Sequence, residues 1–151
     1  MGPIPRGLIT KLKMVLPIGK KRAWNLIATP KGLQSWLPVK CTGRMEPGNW
    51  LKFGWRDGDA EEYRTISLGV KHSSFRLARE DGFQVRFYLH GRMTTLTLEL
   101  EYPTSPVARR NRDLEVSFWA FHLANLKSVA FKGPDLRHRL RGRARSRGFI
   151  D

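Results

Sequence analysis

The sequence predicts an α+β domain in which an antiparallel sheet, wet on one face, carries a long C-terminal helix. Phe83, Val85, Phe87 and Leu89 alternate with Gln84, Arg86, Tyr88 and His90. After a Gly91-Arg92 turn, Leu96, Leu98, Leu100 and Tyr102 alternate with Thr95, Thr97, Glu99 and Glu101. A period of two across a tight turn marks antiparallel strands with one buried face. Further on, Val116, Trp119, Leu123, Leu126 and Ala130 step by three and four, and Leu114, Phe118 and Phe121 widen the stripe. That is the pattern of a helix buried against a sheet.

The remaining elements follow in order. Leu8, Thr10, Leu12, Met14 and Leu16 alternate with Ile9, Lys11, Lys13 and Val15, a half-buried strand that Pro17-Ile18-Gly19 ends. Residues 19–28 form a short helix with Ala23 and Ile27 one turn apart and Lys20, Lys21 and Arg22 on its first turn. Cations there oppose the helix dipole, so the cluster is either tolerated or used. Thr29-Pro30 restarts the chain: Thr is a good N-cap, and Pro is favoured at the first helical position. A second short helix over 30–36 carries Leu33 and Trp36 inward, and Pro38 closes it. Leu51, Phe53 and Trp55 alternate with Trp50, Lys52 and Arg56 before an Asp57-Gly58 turn. Residues 61–68 and 73–78 are weaker strands. Residues 103–110 hold two prolines, and the last helix starts at Asn111 or Arg112 and stops at Lys132-Gly133-Pro134. The domain spans residues 1–134. Residues 135–151 form an Arg-rich tail whose glycines and missing apolar stripe predict disorder.

Composition bounds the function. At 151 residues with 40% hydrophobic content, the chain can build a single core. The formal charge of +15 is unevenly placed: +9 over residues 1–52, −1 over 53–104 and +7 over 105–151. A single cysteine, Cys41, excludes an internal disulfide framework and suits a reducing cytoplasm. One cysteine with four dispersed histidines lacks the spacing of a structural zinc site, so no metal and no cofactor are expected. No apolar run reaches the length of a membrane span. There is no Gly-x-Ser-x-Gly elbow, Walker-type loop or His-Glu-x-x-His pair. Glu99 and Glu101 fall on the polar phase of their strand and, with Glu61 and Glu62, read as a solvated face rather than an acid/base pair.

Several residues together resemble a known family. Leu16-Pro17, Ala23-Trp24, Thr29-Pro30-Lys31-Gly32-Leu33 with Trp36, and Gly48 before the Trp50–Trp55 strand carry the resemblance. Trp119, His122-Leu123, Leu126-Lys127 and Gly133 continue it. Over roughly residues 8–134 the chain resembles the START-like, helix-grip (SRPBCC) superfamily, in the branch named for the activator of the heat-shock-protein-ninety ATPase. The resemblance implies a curved antiparallel sheet wrapped around a long C-terminal helix, with two short helices between the first and second strands and a cavity inside. It also implies a range of roles among chaperone co-factors, lipid and hormone carriers and cyclase-like enzymes. Fold alone does not choose between them.

The pocket candidates are Trp36, Phe53, Trp55, Phe87, Leu89, Leu98, Trp119, His122 and Leu123, which either line a cavity or fill the core. His122 and Asn125 are the polar residues flanking the stripe of the last helix, and each must find a hydrogen bond from a protein group or a ligand. Arg137, Arg139, Arg141, Arg143, Arg145 and Arg147 recur at every second position and are the candidates for weak, sequence-blind attraction to nucleic acid or another anion. The expected function is a non-catalytic START-like domain that binds an apolar small molecule or a client or chaperone partner. The alternatives are a nucleic-acid-associated protein acting through its basic tail and a cyclase-like enzyme.

Overall fold

The computed structural model describes residues 8–69, 73–103 and 106–139. Among these residues, seven strands and three α-helices run in the order β1 (Leu8–Val15), α1 (Lys20–Ala28), α2 (Pro30–Gln34), β2 (Lys40–Gly43), β3 (Trp50–Gly54), β4 (Ala60–Leu68), β5 (Ser74–Arg79), β6 (Gln84–His90), β7 (Thr95–Tyr102) and α3 (Pro106–Ala130). The strands form one sheet in the order β1-β7-β6-β5-β4-β3-β2, antiparallel throughout. The first strand therefore pairs with the last, and α1 and α2 bridge from one sheet edge to the other. This is the helix-grip α+β architecture that the order of elements and the resemblance imply.

The period-two segments behave as expected. Register pairs Phe87 with Leu98 and Val85 with Leu100, so the inward residues of β6 and β7 stand side by side on the buried face. On the other face, Arg86 meets Glu99 at 3.4 Å and Arg76 meets Glu101 at 3.3 Å. These glutamates form a solvent-side ion-pair ladder, worth little individually. Thr29 caps α2 as its position predicts: its hydroxyl accepts from the Gly32 N–H at 3.0 Å and donates to the Asn25 carbonyl at 2.7 Å.

Gly32 is buried where α2 crosses the end of α1, and a Cβ there would run into the Asn25 carbonyl oxygen. Gly32→Ala is expected to destabilise the fold by about 1–3 kcal/mol through overpacking, read as a lower midpoint in urea unfolding.

The structure differs from the sequence expectations in three places. β2 has no alternating apolar residues to announce it: Cys41 alone turns inward, and Gln34 supplies an acceptor for its N–H at 3.1 Å. α3 begins at Pro106 rather than at Asn111 or Arg112, because proline at the first helical position opens a helix instead of delaying it. The third difference lies at the C-terminus. After Lys132 (φ 58°) reverses the chain, residues Leu136–Arg139 form a 3-10 turn against the domain rather than belonging to a detached tail from residue 135.

Candidate ligand site

The interior lies between the inward face of the sheet and α3. Of the nine pocket candidates, Trp36, Phe53, Phe87, Leu98 and His122 are wholly buried, and none of the others is more than 5% exposed. The fold brings all nine together. Trp36 sits edge-on to Phe87 at 6.4 Å, Phe87 edge-on to Trp119 at 6.1 Å, and Phe53 edge-on to Trp55 at 6.2 Å. Trp55 in turn faces His122 at 5.9 Å. Trp36 donates its indole N–H to the Leu26 carbonyl at 2.8 Å, which locks α2 onto α1. Trp24 is only half-buried and packs edge-on against Phe75 at 5.7 Å. Apart from His122, the pocket candidates belong to one buried hydrophobic cluster.

The polar residues of α3 find protein partners. His122 Nδ1 lies 3.2 Å from the Trp36 carbonyl oxygen, which can only accept, so Nδ1 carries the proton. The Asn125 amide donates to the same carbonyl at 3.0 Å and to Asp135 at 3.0 Å, and its oxygen accepts from the Leu136 N–H at 2.8 Å. Both residues thus tie α3 to the end of α2.

Three polar atoms in this interior behave otherwise. Trp55 Nε1, Trp119 Nε1 and the Tyr102 hydroxyl are buried with no hydrogen-bond partner among the described residues. They lie along one chain of touching rings: Trp55 to Phe118 at 5.3 Å, Phe118 to Trp119 at 5.3 Å, Trp119 to Phe83 at 6.2 Å and Phe83 to Tyr102 at 5.3 Å. An unmade buried hydrogen bond costs about 1–3 kcal/mol, so three along one seam are unusual. Burial, with Glu115 adding to it, raises the Tyr102 hydroxyl above its ordinary range, so it stays protonated and able to donate. Sequence reasoning missed Tyr102 as a site residue, although it continues the inward phase of Leu96, Leu98 and Leu100.

The arginines expected in a tail divide. Arg137 is 8% exposed and belongs to the folded body. Its guanidinium donates to the carbonyls of Pro38 at 2.7 Å and Ser35 at 3.1 Å, and to the Asp135 carboxylate at 2.7 Å. Arg56 closes the same turn by donating to the Arg137 carbonyl. A cation committed to these partners is a structural anchor, which corrects its place among the anion-binding candidates. The Arg139 side chain and Arg141, Arg143, Arg145 and Arg147 lie outside the described residues.

A second polar cluster joins β5 to α3. Arg79 bonds Glu115 at 2.9 Å, Asp81 at 2.8 Å and Glu61 at 3.4 Å beside an open cleft of about 870 Å³. Burial pushes the Glu115 carboxyl up, against the pull of Arg79. Glu61 therefore belongs to a partly buried ion-pair network and not to a fully solvated face. Burial also pushes the Cys41 thiol up to about 12, leaving it inert as a nucleophile at neutral pH. Among the described residues, no group of three His, Cys, Asp or Glu side chains is arranged to hold a metal ion. None of the described helices is long and apolar enough to cross a membrane.

No protein-family model matches the chain, and no curated protein matches it. Solved structures do. The Aha1 dimer from Colwellia psychrerythraea is 16% identical with a TM-score of 0.64, the match covering 82% of this chain and 96% of that one. An AHSA1-like protein from Aeromonas hydrophila is 12% identical with a TM-score of 0.68, covering 83% and 93%. A protein from Mesorhizobium loti is 14% identical with a TM-score of 0.72, covering 84% and 99%. At these identities the likeness shows the fold alone: a curved antiparallel sheet with a long C-terminal helix, the shape shared with these solved structures.

Proposed function

We propose that the domain is a non-catalytic binder of an apolar small molecule bearing a hydrogen-bond acceptor, taken up between the sheet and α3. One observation carries this reading: the three unpartnered polar atoms of Trp55, Trp119 and Tyr102, strung along an otherwise apolar aromatic seam. Each can donate a hydrogen bond, so the complementary ligand is flat or flexible, largely hydrocarbon, and carries a carbonyl or ether oxygen. The likeness of shape to the Aha1 and AHSA1-like structures supports a second reading, in which a chaperone or client protein docks on the outside of the same domain.

The test compares two ligands of equal shape, 9-fluorenone and fluorene, by quenching of tryptophan fluorescence. Fluorenone, which has the acceptor, is expected to bind saturably and about 3- to 10-fold more tightly, the worth of one net hydrogen bond. Trp55→Phe, Trp119→Phe and Tyr102→Phe together should erase that difference while the protein stays folded. Saturable binding of neither compound, or equal binding of both that ignores the substitutions, rejects the interior site.

A further inference from the structure

The first turn of α1 carries Lys20, Lys21 and Arg22 and no acid, and Gly19 at its N-cap supplies no side-chain bond. Arg22 has a structural use: its guanidinium donates to the Ala130 carbonyl at 2.9 Å, at the end of α3 where a cation is favoured. Lys20 makes no such bond among the described residues. No described acid pairs with it, or with Arg92 on the β6–β7 hairpin.

A groove of about 750 Å³ lies between these two cations. Leu16, Pro17 and Ile18 form one wall, Met93 forms the other, and no acidic residue lines it. The walls are held in place by short hydrogen bonds. The Leu16 N–H donates to the Thr94 carbonyl at 2.7 Å, and the buried Thr94 hydroxyl donates to the Ile18 carbonyl at 2.6 Å. Met93 is 64% exposed, a large apolar side chain at a hairpin tip where polar turn residues are usual. The lining shares no residue with the pocket candidates of the sheet–helix interior.

We propose that this groove binds a small amphipathic anion, an alkyl chain ending in a carboxylate or phosphate. Lys20 and Arg92 complement the oxyanion, while Pro17, Ile18 and Met93 cover the chain. The combination selects for the occupant at both ends. A neutral hydrocarbon leaves two cations without a partner, and a bare inorganic anion leaves the apolar walls wet. No aromatic ring lines the groove, so it offers no platform for stacking nucleic-acid bases.

The test uses the full chain and monomeric ligands below their micelle concentrations. Decanoate and decyl phosphate are titrated against decanol and acetate, with calorimetry giving affinity and the Met93 methyl resonance giving location. The two amphipathic anions should bind saturably and shift that resonance. Decanol and acetate should bind at least about tenfold more weakly, as expected for loss of a charge-assisted contact. Lys20→Ala with Arg92→Gln, both at exposed positions, should weaken decanoate about tenfold or more without altering the melting temperature or the fluorenone titration. Equal affinity for decanol, unchanged decanoate binding in the double variant, or attachment to anionic phosphatidylglycerol vesicles with monomeric decanoate ignored would each overturn the proposal.

Discussion

Arg137→Ala is expected to destabilise the protein by about 3–5 kcal/mol, the cost of breaking a buried, hydrogen-bonded ion pair by removing one partner. The substitution strips a donor from the Ser35 and Pro38 carbonyls and leaves Asp135 without its cation. Those carbonyls sit just beyond α2, so the loss should loosen the α1–α2 pair as well as the chain end. Urea unfolding measures the cost, and hydrogen exchange at residues 26–37 locates it. Arg137→Lys should recover only part of the stability, because an ammonium cannot hold this set of acceptors with the geometry of a guanidinium.

The same contact predicts a pH dependence. Burial would push the Asp135 carboxyl up, but hydrogen bonds from Arg137 and its backbone N–H, with the guanidinium charge and the Asn125 amide, outweigh it and lower the carboxyl from 3.8 to about 2. A carboxyl depressed in the folded state adds stability that is fully present above its unfolded value and is lost as pH falls through the folded one. Wild-type stability should therefore drop between about pH 4 and pH 2, with Asp135→Asn showing a shallower slope there. Equal slopes would show that the pair does not couple to folding.

Trp119→Ala is the second large effect, at about 3–5 kcal/mol for an aromatic ring removed from a packed interior. Trp119 is 1% exposed and touches Phe83, Phe87 and Phe118, each such ring pair adding about 0.5–1.5 kcal/mol beyond area burial. The cavity left behind joins the seam of unpartnered donors. The variant should accordingly bind fluorenone with changed affinity at a temperature where it remains folded, checked by circular dichroism. Trp119→Phe keeps most of the packing and should cost far less. If alanine and phenylalanine cost the same, the ring is not packed as the structure shows.

The sequence by itself determined the parts whose cause is local. Alternation at residues 83–89 and 96–102 marked β6 and β7, because side chains in a strand point to opposite faces at every step. The three- and four-residue steps from Val116 to Ala130 marked α3 for the equivalent reason in a helix. Thr29-Pro30 marked the restart at α2 because a cap and a fixed φ act within a few residues. What only the tertiary structure decided depends on partners far away in the chain. β2 exists because β3 pairs with it, with Cys41 its lone inward residue. Arg137 reads as one of a periodic row of cations until Ser35, 102 positions away, supplies its acceptor. The ring seam joins the residue after β3, the residue before β6, β7 and α3, and an indole N–H shows no lack of a partner until every neighbour has been placed around it. Likewise Lys20 and Arg92 become a pair only when the β1–α1 link and the β6–β7 hairpin close on one groove. Spacing carries periodicity and caps, whereas the pairing of a buried polar group is a property of the whole packed interior.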